Sequence, residues 1–168
     1  MQLDAEPLVV ALAAQIGTLP AETVLVGIHT GGVWVAERLH ASLGMSLPIG
    51  KLAVTLHRDD FSRIGLHPQK KATEMPFDVN GRDIVLVDDV LNSGRTLRAA
   101  LNELFDFGRP ASVKLAVLVD RGRRELPFAA DYIGATMSLD AGQELVLANE
   151  QDHLRFTLQE KHSQAASR

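Results

Sequence analysis

Asp83-Ile84-Val85-Leu86-Val87-Asp88-Asp89-Val90-Leu91-Asn92-Ser93-Gly94-Arg95-Thr96 is the stretch that decides the fold of this 168-residue chain. Ile84 to Val87 are apolar without alternation, the pattern of a strand buried on both faces at the centre of a parallel sheet. Such a strand delivers Asp88 and Asp89 to its carboxyl end, where open α/β sheets bind their ligands. Ser93-Gly94-Arg95-Thr96 then turns tightly into a helix whose apolar stripe is Leu97, Ala100, Leu101, Leu104 and Phe105. Gly108 and Pro110 end that helix.

Working outward, the same alternation recurs. Leu8, Val9, Leu12, Ala13 and Ile16 have helical spacing, closed by Gly17 and Pro20. Val24 to Ile28 reads as a second buried strand, running into His29-Thr30-Gly31-Gly32. The helix that follows carries Val35, Ala36, Leu39 and Leu43 on one face, with Gly44 as its cap. Lys51 to Leu56 is strand-like. His57 to Phe77 is polar, contains Gly65, Pro68 and Pro76, and has no period, so it is a long functional or disordered loop. Val113 to Val119 is another apolar strand, with weaker strand candidates near Tyr132, Leu145 to Leu147 and Leu154 to Leu158. Strands and helices in this order predict an α/β fold with a mainly parallel sheet flanked by helices. The length fits one domain, expected over residues 1–160, with a frayed polar tail at 161–168.

Composition narrows the function classes. A net charge of −4 argues against generic nucleic-acid binding, which needs many phosphate-facing cations. Without cysteine the chain has no disulfides or thiolate metal sites, which favours the cytoplasm. No apolar run is long enough to span a bilayer, and the N-terminus lacks the pattern of a secretion signal. His29, His57 and His67 are not spaced as a metal site and are read as polar loop residues. Phe105, Phe107 and Trp34 are candidates for either core or an apolar interface.

The deciding stretch also carries chemistry. Two adjacent carboxylates suit ribose hydroxyls, which donate hydrogen bonds, or a cation held beside them. A glycine turn opening a helix presents free N–H groups and a favourable dipole to a phosphate, and Ser93, Arg95 and Thr96 add polar contacts. Together these describe a place for a phosphorylated ribose. The alternative is a plain strand-to-helix turn whose aspartates cap the helix. No Gly-Lys-Ser/Thr supports a P-loop, and no Gly-x-Gly-x-x-Gly supports a dinucleotide site.

Val87 to Thr96 resembles the phosphoribosyl pyrophosphate (PRPP) motif of type I phosphoribosyltransferases. Thr55-Leu56-His57-Arg58-Asp59-Asp60, Gly108 to Ser112, Leu115 to Gly122, Arg124 to Pro127 and Ala130 to Gly134 are similar to blocks of one branch. That branch is the bifunctional pyrimidine operon regulators/uracil phosphoribosyltransferases, and the resemblance spans Val24 to Ser138. It implies the type I fold, with a small hood and a flexible lid loop. It also implies a reaction, in which uracil and PRPP give UMP and pyrophosphate, with Mg2+ bound on PRPP and no metal ligand assigned to the protein itself. Asp88 and Asp89 would hold the ribose hydroxyls, and Asn92, Ser93, Gly94, Arg95 and Thr96 the 5-phosphate. Thr30, Gly31 and Gly32 match the pyrophosphate loop, since a second glycine turn opening a helix suits another anion. Taken alone, Thr-Gly-Gly is more often an ordinary turn. Arg58 in the lid is chosen to stabilise the departing pyrophosphate, the alternative being a surface pair with Asp59. Asp120, Arg121 and Ile133 fall on the nucleobase side beneath the hood, and the resemblance implies a homodimer or larger homo-oligomer.

Three departures from the branch matter. Its pyrophosphate loop has lysine before the threonine and arginine after it, where this chain has His29 and Gly31. Its Tyr-Thr before Gly-Arg-Thr is Asn92-Ser93, and the Asn92 amide can address a base edge, which keeps a purine substrate open. The basic face with which regulators bind messenger RNA is thinned. Arg123 and Arg124 are retained, but Ala129 and Ala135 stand where arginine and lysine are expected. Losing several phosphate contacts lowers RNA affinity by orders of magnitude at physiological salt, so the two arginines are either an RNA contact or a solvated turn.

Overall fold

The computed structural model describes residues 1–54 and 71–161, which form two sheets. In chain order the elements are β1 (Gln2–Asp4), α1 (Glu6–Ile16), β2 (Val24–Ile28), α2 (Gly31–Ser42) and β3 (Gly50–Leu52). They continue with β4 (Asp83–Leu91), α3 (Arg95–Asp106), β5 (Ser112–Asp120), β6 (Tyr132–Thr136), β7 (Gln143–Glu150) and β8 (His153–Glu160). The core sheet is parallel in the order β3-β2-β4-β5-β6.

Strand order fixes where the helices go. The chain leaves β2 toward β3 on one side, and leaves β4 toward β5 on the other. Right-handed crossovers then place α2 and α3 on opposite faces. Side-chain alternation agrees. Leu25, Val85, Val87, Ala116 and Leu118 pack with α1 and α2, whereas Val26, Ile28, Ile84, Leu86 and Val117 pack with α3. All five residues of β2 are buried, as a strand covered on both faces requires. Trp34 is partly buried against the α1–α2 side, while Phe105 and Phe107 remain 53% and 44% exposed.

The second sheet, antiparallel in the order β1-β8-β7, is the hood. Leu147, Leu154 and Phe156 anchor it in the α1–α2 side of the core. Its first strand has three residues, Gln2–Asp4, too few to show a period, and it forms because β8 supplies an edge for it. The strand-like segment from Lys51 is shorter than its sequence pattern predicts: β3 ends at Leu52. The polar stretch returns beside β3 through an isolated antiparallel bridge between Lys51 and Glu74. Arg58, His57 and His67, and the tail beyond Lys161, lie outside the described residues. Among the described residues no helix is long and apolar enough to cross a membrane.

Phe156 is fully buried and joins hood to core, so Phe156→Ala leaves a cavity that neighbouring elements fill only partly. The expected cost is about 3–5 kcal/mol of stability. It is measured by urea unfolding followed by circular dichroism, and a change within the error of the wild-type curve would contradict this packing.

Candidate active site

The core sheet reverses direction of growth between β2 and β4, and the loops leaving these two strands face one crevice. Pairing between them ends at Gly27 with Val87, whereas β4 stays paired with β5 as far as Leu91 with Asp120. The sheet therefore parts just beyond Val87. Asp88 and Asp89 sit on the freed edge, inside a strand that runs through Leu91 rather than after its end.

The first turn, His29 to Gly32, enters that gap. Its His29–Thr30 peptide is cis. A Cβ placed on Gly31 would lie 2.7 Å from the Asp89 carboxyl carbon, and one on Gly32 would lie 3.0 Å from Asp88 Cα. Only glycine lets the N-terminus of α2 come this close to β4. His29 Nδ1 is buried without a hydrogen-bond partner. Burial lowers the His29 pKa, and the nearby Lys71 and Lys51 lower it further. Lys71 donates from Nζ to the Thr30 hydroxyl at 2.8 Å.

Asp88 and Asp89 are half-buried, and their carboxylates accept from the next backbone N–H in each case, Asp89 and Val90, at 2.9 Å. These bonds are local, so neither aspartate caps α3. Desolvation raises the Asp88 pKa well above its usual value, and the adjacent Asp89 carboxylate raises it further.

The second turn, Asn92 to Gly94, leads into α3. Gly94 has φ +92°, a left-handed conformation that glycine adopts without strain, and a Cβ there would lie 3.0 Å from the Phe128 ring. Ser93 Oγ accepts from the Arg95 N–H at 3.2 Å, and no side chain of the capping residue closes the N-terminus of α3. Beyond the Arg95 amide, the first-turn amides and the helix dipole are presented at the turn. A cavity of about 130 Å³ is lined by Asp88, Asn92, Ser93, Gly94 and Thr96, with Val117 on its apolar side. Asn92 Oδ1 is buried without a partner.

The segment after β5 braces this turn. Glu125 and Leu126 donate backbone N–H bonds to the Ser93 carbonyl at 2.9 and 3.0 Å. Arg124, a possible RNA contact or solvated turn by sequence, has its guanidinium directed inward. It donates to both Asp120 carboxylate oxygens, at 2.8 and 2.6 Å, and to the Asn92 and Phe128 carbonyls. Hydrogen bonding to Arg124 lowers the Asp120 pKa against the opposing effect of burial. Arg123 is exposed. Arg95 pairs with Glu125 at 2.6 Å on the surface, so the cation of the second turn already has a counter-charge.

Arg121 is buried and crosses to the hood, donating to the Gln143 carbonyl at 2.9 Å, while its Nε has no partner. Burial lowers its pKa, with a further contribution from Arg123. Ile133 lies on β6 opposite Val117, one strand away from the lined cavity. The fold thus gathers Thr30 to Gly32, Asp88, Asp89 and Asn92 to Thr96 in one crevice, with Asp120 and Arg121 at its edge. Lys71 and the bracing role of Arg124 are not evident from sequence. Nothing local separates Lys71 from Lys70, although the four-residue spacing of Asp120 and Arg124 is a signal in hindsight.

Among the described residues no three His, Asp or Glu side chains cluster as a metal cage. Asp88 and Asp89 offer two carboxylates, which suits a hard divalent ion that takes most of its oxygens from a diphosphate and from water.

Comparison with known proteins agrees with this geometry. The family model for the phosphoribosyl transferase domain matches residues 5–141. The "Bifunctional protein PyrR" of Ralstonia nicotianae is 52% identical over 163 residues, covering 93% of each chain. The protein of the same name from Nitrosococcus oceani is 54% identical over 137 residues, covering 80% of this chain and 77% of its own. Among solved structures, the hypoxanthine phosphoribosyltransferase of Staphylococcus aureus superposes with a TM-score of 0.63 at 20% identity, over 81% of this chain and 76% of that one. The Trypanosoma cruzi enzyme gives 0.63 at 20% identity, over 83% and 78%. At that identity the likeness concerns the fold alone. With the fold, the motif and the close relatives in agreement, this chain belongs to the phosphoribosyltransferase family.

Proposed function

We propose that the chain transfers ribose 5-phosphate from PRPP to uracil, giving UMP and pyrophosphate. The observation that carries this reading is the crevice where the two glycine turns meet on either side of Asp88 and Asp89. Two anion cradles separated by carboxylates match a substrate with a phosphate at one end, a diphosphate at the other and hydroxyls between. The amides and hydroxyls of Ser93 to Thr96 take the 5-phosphate. Thr30 to Gly32 take the diphosphate, and Asp88 and Asp89 take the ribose hydroxyls. Arg58, outside the described residues, is assigned to the departing pyrophosphate on the resemblance alone.

In the reaction a nitrogen of uracil bonds to the ribose anomeric carbon as the carbon–oxygen bond to the diphosphate breaks. Pyrophosphate leaves with the bonding pair, and the uracil nitrogen loses its proton. Positive charge develops on the ribose, and the Asp89 carboxylate fixed beside it stabilises that charge without reorganisation. Mg2+ bound with PRPP would neutralise diphosphate charge and improve the leaving group. Positioning comes from the turn itself, held by Arg124 through the Asn92 carbonyl.

Uracil as the base rests on the sequence resemblance and on relatives at 52% and 54% identity bearing the PyrR name. Asn92, whose Oδ1 is buried and unpartnered beside the cavity, supports a base-contacting role and keeps a purine in the comparison. Asp120, Arg121 and Ile133 belong to the base side in this reading. The word "bifunctional" in the relatives' name favours a second, RNA-binding role. Arg123 is exposed for it, whereas Arg124 is held internally. A cytoplasmic location and a homo-oligomer belong to the same reading. Exposed Phe105 borders an apolar groove of about 460 Å³ with Leu101, Pro110 and Phe128, area that a second copy would cover.

Purified protein is expected to form UMP from PRPP and uracil in the presence of magnesium, faster than it forms nucleotides from hypoxanthine, guanine or orotate. No product from any base would refute the enzyme. Asp89→Asn should lower turnover by about a hundredfold or more with the fold intact, and unchanged activity would remove the ribose assignment. Binding to a pyrimidine-gene leader RNA that is weak and falls steeply with salt is expected of the second role, and a flat gel shift would remove it.

Asp88 allows a pH test. Its folded pKa lies above the ordinary 3.8, so the cost of ionising it is absent below that value and grows as pH rises through the raised one. Asp88→Asn should therefore raise the urea midpoint at neutral pH, with no gain in acid, while nucleotide formation falls. A midpoint difference that does not vary with pH would contradict the burial of this carboxyl.

A further inference from the structure

A diphosphate carries more negative charge than amides alone balance, yet Thr30, Gly31 and Gly32 include no cationic side chain. The structure brings one from elsewhere. Lys71 reaches the Thr30 hydroxyl at 2.8 Å from a chain segment 41 residues away.

This lysine is not at the end of a free strand of chain. Lys51 and Glu74 exchange two backbone hydrogen bonds of 2.8 Å. Thr73 Oγ1 accepts from the Ala53 N–H at 3.0 Å and donates to Glu103 at 3.2 Å. The residues that follow Lys71 are therefore clamped to β3 and α3, and its side chain is aimed along the first turn.

Its electrostatic surroundings suit an anion. Thr30 is the capping residue of α2, whose N-terminus is the positive end of the helix dipole. Lys51 is nearby and has its own partner, Glu37, at 3.6 Å. No carboxylate among the described residues pairs with Lys71. Among the described residues the bond of this ammonium is to a neutral hydroxyl at the positive end of a helix, a place where an anion is favoured.

We propose that Lys71 binds the diphosphate of PRPP and the pyrophosphate released from it, exchanging the Thr30 hydroxyl for a phosphate oxygen. This rests on the functional reading above and adds a binding residue to it. Lys71 supplies charge to the pyrophosphate turn in place of a cation within the turn.

Calorimetric titration with magnesium pyrophosphate tests this directly, without requiring turnover. Lys71→Gln should weaken pyrophosphate binding by about tenfold, the range of one charge-assisted hydrogen bond, and Lys71→Arg should restore most of it. Initial rates should agree, with KM for PRPP and the inhibition constant for pyrophosphate raised and KM for uracil unchanged. Unaltered pyrophosphate affinity in Lys71→Gln, with the wild-type unfolding midpoint retained, would overturn the proposal and leave Lys71 as a pin for its own segment. The functional reading fails separately, if wild-type protein binds pyrophosphate but makes no nucleotide.

Discussion

The crevice depends on the absence of two side chains. At Gly31 and Gly32 the N-terminal turn of α2 lies against the edge of β4, where a Cβ would meet the Asp89 carboxylate or the β4 backbone. That approach sets the distance between the turn before α2 and the carboxylates of Asp88 and Asp89. It is possible because β2 stops pairing with β4 at Val87, leaving the last residues of β4 paired, among the described residues, with β5 alone. Sheet topology supplies the gap, and glycine allows a helix end to fill it.

Charge is distributed unevenly across the site. At the turn before α3 the cation, Arg95, is paired with Glu125, and Arg124 is absorbed into the Asp120 clamp. At the turn before α2 Lys71 has no paired carboxylate among the described residues, and His29, its Nδ1 buried without a partner, lies beside it. Asp88, between the two, is driven toward its neutral form by burial and by Asp89. The positive surplus thus lies at the turn before α2, the end of the crevice to which the proposed function assigns the diphosphate.

Much of this was legible in the sequence because its causes are local. Ile84 to Gly94 declares a buried strand, a carboxylate pair and a left-handed glycine in consecutive residues, and each can be read from its neighbours. The same holds for the cap after α1 at Gly17 and for the stripe of α3. What escaped reading is set by partners distant in the chain. Lys71 has meaning only beside Thr30, Arg124 only beside Asn92 and Asp120, and Gln2–Asp4 only beside β8. The inward turn of Arg124 also shows how a basic pair in sequence can be one surface cation and one internal brace.

The pairing of β1 with β8 has a consequence for synthesis. Gln2 to Asp4 align with Thr157 to Arg155, so β1, made early, must wait for β8 before it has an edge to join. The parallel sheet with both glycine turns draws on residues that leave the ribosome earlier. Both glycine turns of the crevice are therefore translated before β7 and β8 of the hood, to which Arg121 is tied through Gln143. During that interval the surface later covered by Leu154 and Phe156 is open, and only the synthesis of β8 buries it.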